Sequence, residues 1–202
     1  NTILAYDNAG QMLAQAELVF GMLCAAETND RMQALQEQAM PLLAAHRDKI
    51  RLDDKLFARV KEVYDRRAAL GLDAEQMRLL QKTYDSFVRA GALLDAEQKA
   101  RLKEINGQLS LTAVKFGNNI LAENNNFVLE LKSDELDGLP AGIRDAAREK
   151  AQQMGKGDKW VFTLHKPSLI PLLTYSTRRD LREKIYKAYL NRCNNGDEYD
   201  NK

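Results

Sequence analysis

Histidine is scarce in this chain: only His46 and His165 could bring an imidazole to bear on a proton or a metal. Zinc hydrolases commonly set two imidazoles on one helical face with the spacing H-E-x-x-H, the glutamate between them activating water. Neither histidine opens that motif, and the two lie far apart in sequence. His46 falls on an apolar stripe of helical period, where the spacing predicts a buried, hydrogen-bonded imidazole. His165 follows a strand-like run and precedes Ser168 by three residues. A hydroxyl and an imidazole without an orienting third group and an oxyanion site do not make a nucleophile pair, so a loop contact is expected.

The remaining candidates dissolve in the same way. Gly155-Lys156-Gly157 has phosphate-loop composition but follows a helical pattern and precedes a strand, the reverse of the order that aims a helix N-terminus at phosphate. It reads as a turn. The tail Asn191–Lys202 places Asn195-Gly196 where a calcium loop would have its central turn, yet Cys193 takes the third ligand place and Lys202 the twelfth, which needs a bidentate glutamate. Arg66-Arg67 and Arg178-Arg179 are short and interleaved with acids, as exposed helical faces are. Asp53-Asp54 lacks the apolar enclosure that would separate the proton affinities of an acid and a base. Cys24 and Cys193 are too few and too distant to staple a fold, and read as a core residue and a helix-end residue. No catalytic, cofactor-binding or metal-ligating residue is assigned to any position.

Positioning elements are easier to read. The stripes Met32-Leu35-Ala39-Leu42-His46-Ile50, Leu56-Val60-Val63 and Met77-Leu80-Tyr84-Phe87 each repeat at three and four. Leu102-Ile105-Leu109-Ala113-Phe116-Ile120 sustains that spacing longest and predicts the longest helix. Ile3 to Cys24 is apolar almost all round after Gln11, which predicts a helix buried on more than one side. Asp73 with Gln76, and Asp95 with Gln98, carry the capping-box pattern; Gly71 and Gly91 stand just before them as helix stops. Pro41 predicts a kink or break. After a left-handed stop at Asn124-Asn125-Asn126, alternation at 127–131 and 160–164 predicts two short strands, parallel or antiparallel, around a helix from Pro140 to about Met154 that stops at Gly155. Pro167 and Pro171 bracket a turn-rich stretch, and Thr177 with Asp180 caps a last helix through Leu181, Ile185 and Tyr189. The fold class is therefore mainly α: antiparallel helical hairpins with a small two-stranded β element.

Composition suits an ordinary globular domain, with 45% hydrophobic and 29% charged residues. Lysine and arginine total 30 against 29 acids, a net charge of +1, so no global field gathers nucleic acid or an anionic membrane. No uninterrupted run of about 18 apolar residues occurs, and Asn1 opens no signal-like segment. A start without methionine and an end at Lys202 read as cuts from a longer protein.

Against this background Arg89-Ala90-Gly91, Leu102-Lys103-Glu104-Ile105-Asn106, Leu109-Ser110 and Phe116 with Asn118-Asn119 resemble the long-helix signature of the thimet oligopeptidase family. Leu136 with Gly138-Leu139-Pro140, the Trp160 strand, Pro171-Leu172-Leu173, Thr177-Arg178-Arg179 and Arg192-Cys193-Asn194 are similar to the segment that follows in those enzymes. Leu56 to Val60, Arg66-Arg67 and Leu70-Gly71-Leu72-Asp73 resemble its bacterial peptidyl-dipeptidase branch more than the endopeptidases.

The resemblance implies a zinc metallopeptidase that removes dipeptides from the C-termini of short peptides, with two largely helical halves facing a channel. Residues 1–202 would then be its N-terminal helical part: hairpins over 1–123, a strand-helix-strand insert over 124–165 and a helical segment over 166–202, forming channel wall without the H-E-x-x-H domain. Zinc would belong to the full-length parent alone, and so would catalysis. Its partners would be short peptides and the remainder of the same polypeptide, in a monomer that binds neither nucleic acid nor membrane. A cytoplasmic location is expected, with the periplasm as the alternative. The competing reading is a stand-alone helical interaction scaffold, its apolar stripes including an exposed binding face.

Overall fold

The computed structural model describes residues 2–202. Its helices are α1 (Thr2–Asp7), α2 (Gln11–Ala26), α3 (Asp30–Arg51), α4 (Asp54–Asp65), α5 (Ala74–Arg89), α6 (Ala96–Asn126), α7 (Ala141–Gln153), α8 (Lys166–Tyr175) and α9 (Arg179–Leu190). Two strands, β1 (Leu129–Leu131) and β2 (Trp160–Phe162), complete the mainly α fold. The chain divides into two compact units, Asn1–Val114 and Lys115–Lys202.

In the first unit, side chains supply the acceptors that helix starts lack. Asn29 accepts the Met32 N–H at 3.0 Å and Asp53 the Leu56 N–H at 2.7 Å. Asp73 and Gln76 close the expected reciprocal box, with bonds of 2.8 and 3.3 Å, as do Asp95 and Gln98. Each such cap stabilises its helix by about 1 kcal/mol. At the far end of α5, Gly91 adopts φ 98°, its N–H reaches Val88 O, and the Ala92 N–H reaches back to Phe87 O, each at 3.0 Å. That left-handed stop satisfies carbonyls the helix would otherwise leave open.

The apolar stripes of α4 and α5 meet in one core of Phe57, Val60, Leu80 and Phe87, joined by Ile3 and Ala92. Phe57 lies 6.0 Å from Phe87, and Tyr64 stacks on Tyr84 at 3.9 Å, so the partner number falls as α4 advances and the helices are antiparallel. Tyr6 reaches Phe87 at 5.3 Å and brings α1 onto the pair. Each fully buried side chain contributes about 1.5–3 kcal/mol of transfer free energy.

Two expectations for this unit change. Helix α3 runs unbroken through Pro41, because one missing donor within 22 residues leaves the turns on either side intact. Helix α2 is not buried on several sides: none of its residues is buried, and Met12, Leu18 and Met22 stand exposed. Apolar composition states a preference for leaving water but names no partner, and α3 alone packs on α2 appreciably. Thr2–Ala26 is also long and apolar enough, by length and composition alone, to be a candidate membrane span, although no uninterrupted apolar run crosses it. Gly10, at φ 77°, divides it.

In the second unit β1 and β2 pair antiparallel, with Leu129 opposite Phe162, Glu130 opposite Val161 and Leu131 opposite Trp160. Strand β1 alternates as expected, Leu129 and Leu131 in and Glu130 out. In β2 both Val161 and Phe162 are buried: α7 packs closely on the strand, and its Ala147 shares with Phe162 the core of Leu129, Leu131, Leu172 and Ile185. Pro140, which has no amide to satisfy, precedes α7, and Gly155 (φ 66°) ends it, with Lys156 N–H on Ala151 O at 2.9 Å.

Three departures follow here too. Helix α6 continues through Asn124 to Asn126 without a left-handed asparagine. The stretch around Pro167 and Pro171 is helix α8, since Pro167 sits in the first turn and burial of Leu169 and Leu172 favours the helix over the cost of Pro171. Thr177 does not cap α9; its hydroxyl donates to Asp137 Oδ2 at 2.6 Å, while Asp180 accepts from Arg178 Nε at 3.0 Å and Nη2 at 2.8 Å.

Candidate functional site

Each side chain singled out for chemistry now has a place. His46 is exposed on α3 rather than buried, because the stripe it shares with Leu35 and Leu42 is itself uncovered. His165 is exposed at the start of α8, its Nε2 3.3 Å from Asn125 Oδ1. Ser168 does not face it as a nucleophile would; its Oγ accepts the Thr163 N–H at 3.0 Å and ties α8 to the end of β2. Gly155 and Gly157 are both left-handed, and Lys156 between them pairs with Glu130 at 2.9 Å, so the segment is the expected turn.

Acidic side chains are engaged as acceptors. Asp53 caps α4, and Asp54 pairs with Lys99 of α6. Lys99 is buried while Asp54 is exposed, a juxtaposition that a separation of 45 residues hides from sequence reading. In the second unit Asp200 accepts the N–H groups of Asn195 at 2.7 Å and Gly196 at 2.8 Å, and Glu123 accepts the Cys193 N–H and the Asn195 side-chain amide. Asn119 Nδ2 adds a bond to Asn201 Oδ1 at 2.9 Å, so the tail is clasped onto α6. These carboxylates neutralise backbone dipoles and are not arranged around an ion. Burial, followed by the adjoining Glu123 carboxylate, pushes the Cys193 thiol above its ordinary value, which favours the protonated, less nucleophilic form.

Among the described residues no group of three or more histidine, cysteine, aspartate or glutamate side chains converges as a metal site. A catalytic zinc takes three protein ligands and keeps a position open for water, and the residues present do not fit that ion. Arg66 and Arg67 engage Glu62 at 3.6 Å and the Tyr64 ring at 4.1 Å, and Arg178 engages Asp180.

What the helices display is surface. Along α6, Ile105, Leu109 and Phe116 belong to the expected core stripe yet are exposed, while Val114 and Asn119, off that stripe, are buried. Met12, Leu18, Val19 and Met22 of α2 and Leu42 of α3 are likewise large apolar side chains exposed to water. In the first unit, Pro41, Ala45, Asp48, Leu52, Lys103 and Gly107 line a groove of about 370 Å³, near which Asn106 Nδ2 donates to Asp48 Oδ1 at 2.8 Å.

Comparison with known proteins places these surfaces in context. The chain is 36% identical over 201 residues to dipeptidyl carboxypeptidase of Escherichia coli, covering 99% of the chain and 30% of that relative. It is 35% identical over 201 residues to dipeptidyl carboxypeptidase of Salmonella typhimurium, with the same coverage. Oligopeptidase A of Salmonella typhimurium is 25% identical over 197 residues, covering 94% of the chain and 29% of that protein. No family model matches. The chain spans about 30% of the length of the dipeptidyl carboxypeptidases it matches. Near-complete alignment with these peptidases shows that the chain belongs to the thimet oligopeptidase family.

Proposed function

We propose that this chain is the non-catalytic N-terminal part of a zinc-dependent peptidyl-dipeptidase that releases dipeptides from the C-termini of short peptides. The observation that carries the reading is 36% identity to a dipeptidyl carboxypeptidase across 99% of the chain. Zinc and the H-E-x-x-H helix are assigned to the rest of the polypeptide, since no described residues here fit the ion. In this reading the helices are channel wall: they restrict substrates to extended short peptides, because threading a folded protein would require unfolding it at a cost of about 5–15 kcal/mol. The uncovered apolar side chains of α2, α3 and α6 favour the remainder of the same polypeptide as their partner within a monomer. A cytoplasmic location accords with a metallopeptidase of this kind, and neither nucleic acid nor membrane is a partner.

The test compares the purified chain with the full-length protein on N-blocked tetrapeptides and on a folded protein, with and without added zinc. Dipeptide release by the full-length protein alone, restricted to short peptides and abolished by chelation, is expected. Zinc-dependent release by the chain itself, or cleavage of the folded protein by the full-length enzyme, would overturn the reading.

A further inference from the structure

One face of α5 is predominantly positive. Arg78, Lys82, Asp85 and Arg89 recur at intervals of four, three and four, and with Ser86, Ala90 and Arg51, the last residue of α3, they line a groove of about 480 Å³. The four cationic side chains are exposed, and none forms an ion pair among the described residues. Elsewhere the chain neutralises such positions within a helix, as Lys61 does with Asp65, Arg101 with Glu104 and Lys187 with Glu183. The groove's own carboxylate, Asp85, accepts a hydrogen bond from Gln81 Nε2 at 2.8 Å.

Charge arithmetic indicates what would fill it. Four positive side chains less Asp85 leave +3, and the C-terminal ends of α3 and α5 each subtract roughly half a charge. The remainder, about +2, favours a small multiply charged anion. Guanidinium groups present paired donors in a plane that suits phosphate oxygens, and a cleft of this size takes a small ligand. A long nucleic acid would need a far more extended basic footprint than a chain of net charge +1 offers. We propose that the α5 groove is a binding site for a small phosphate-bearing anion, free or as the diphosphate of a nucleotide, held by Arg51, Arg78, Lys82 and Arg89. This inference does not rest on the peptidase reading.

The experiment is a calorimetric titration of the chain with pyrophosphate and, separately, with ADP at constant ionic strength, with amide shifts mapped by NMR. Saturable binding is expected, with shifts concentrated at residues 78–91. The double variant Arg78→Glu with Lys82→Glu should bind at least about tenfold more weakly, a loss of about 1.4 kcal/mol. Its substitutions are exposed, so the far-UV circular dichroism should match the parent chain. A control of equal charge change, Lys166→Glu with Lys184→Glu in the second unit, should bind within about twofold of the parent, since it leaves the groove's local charge in place. Equal affinity for pyrophosphate and ADP would assign the free anion, and tighter ADP binding the nucleotide; both support the site. Absent binding, equal loss in control and test variants, or tighter binding of a duplex oligonucleotide than of either small anion would overturn it.

Discussion

Replacing Gly138 by alanine separates backbone conformation from steric exclusion. Gly138 adopts φ 81°, and a Cβ there would lie 2.2 Å from Tyr175 O, 2.9 Å from Thr177 Cγ2 and 3.0 Å from Thr177 N. The flanking residues cannot swing away freely: Leu136 and Leu139 are buried, and the Thr177 N–H is bonded to Asp137 O at 3.2 Å. The left-handed conformation costs an alanine about 1 kcal/mol, and forcing backbone apart in a packed region adds about 2 kcal/mol. With a urea dependence of about 1.5 kcal/mol per molar, the summed loss of ~3 kcal/mol lowers the midpoint by about 2 M. Trp160, the single tryptophan, lies in the same unit and reports its unfolding by fluorescence. Gly155→Ala is the internal control: φ is 66° but no atom lies within 4 Å of the added Cβ, so about 1 kcal/mol and ~0.7 M are expected. Gly117→Ala, inside α6 with open space, should instead raise the midpoint by a similar amount. Equal losses at 138 and 155 would refute the argument that the Tyr175 carbonyl excludes a side chain.

Other outcomes follow from the same packing and charges. Phe87→Ala, at a fully buried position touching Phe57 and Tyr6, should destabilise the first unit by about 3–5 kcal/mol, measured by hydrogen exchange of α4 and α5 amides. The Arg178 guanidinium beside Asp180 holds that carboxyl below its ordinary value, so its stabilising contribution is present above the ordinary aspartate range and lost as pH falls through the depressed folded value. In Arg178→Ala, carbon NMR should show the Asp180 midpoint moving up toward that range. At about pH 8 an aromatic disulfide reagent should titrate half-buried Cys24 promptly and Cys193 only on unfolding; equal rates would contradict the raised thiol at Cys193.

Local chemistry was the most legible layer. The Asp73–Gln76 and Asp95–Gln98 boxes, the stops at Gly91 and Gly155 and the alternation of Leu129 and Leu131 depend on residues within a few positions of one another, and sequence carries them intact. Anything decided by a distant partner was less legible. The α6 stripe predicted a helix correctly, but period alone does not say what lies opposite, and Leu109 and Phe116 face water. Thr177 and Asp180 had the spacing of a cap, yet Asp137, 40 residues away, took the hydroxyl. The pairing of Lys99 with Asp54 and the convergence of Arg51 with the α5 cations gave no local signal, because helices far apart in sequence create both.

The left-handed joint at Gly10 sets what α2 can do. By composition Thr2–Ala26 could be a bilayer-length rod, but the bend leaves a longer piece of 16 residues, about 24 Å against a hydrocarbon thickness of about 30 Å. Glu17 sits within that piece. Divided there, the segment carries its methionines and leucines on a rod too short to cross a bilayer unaided, and only a continuous helix through Gly10 would restore the full length.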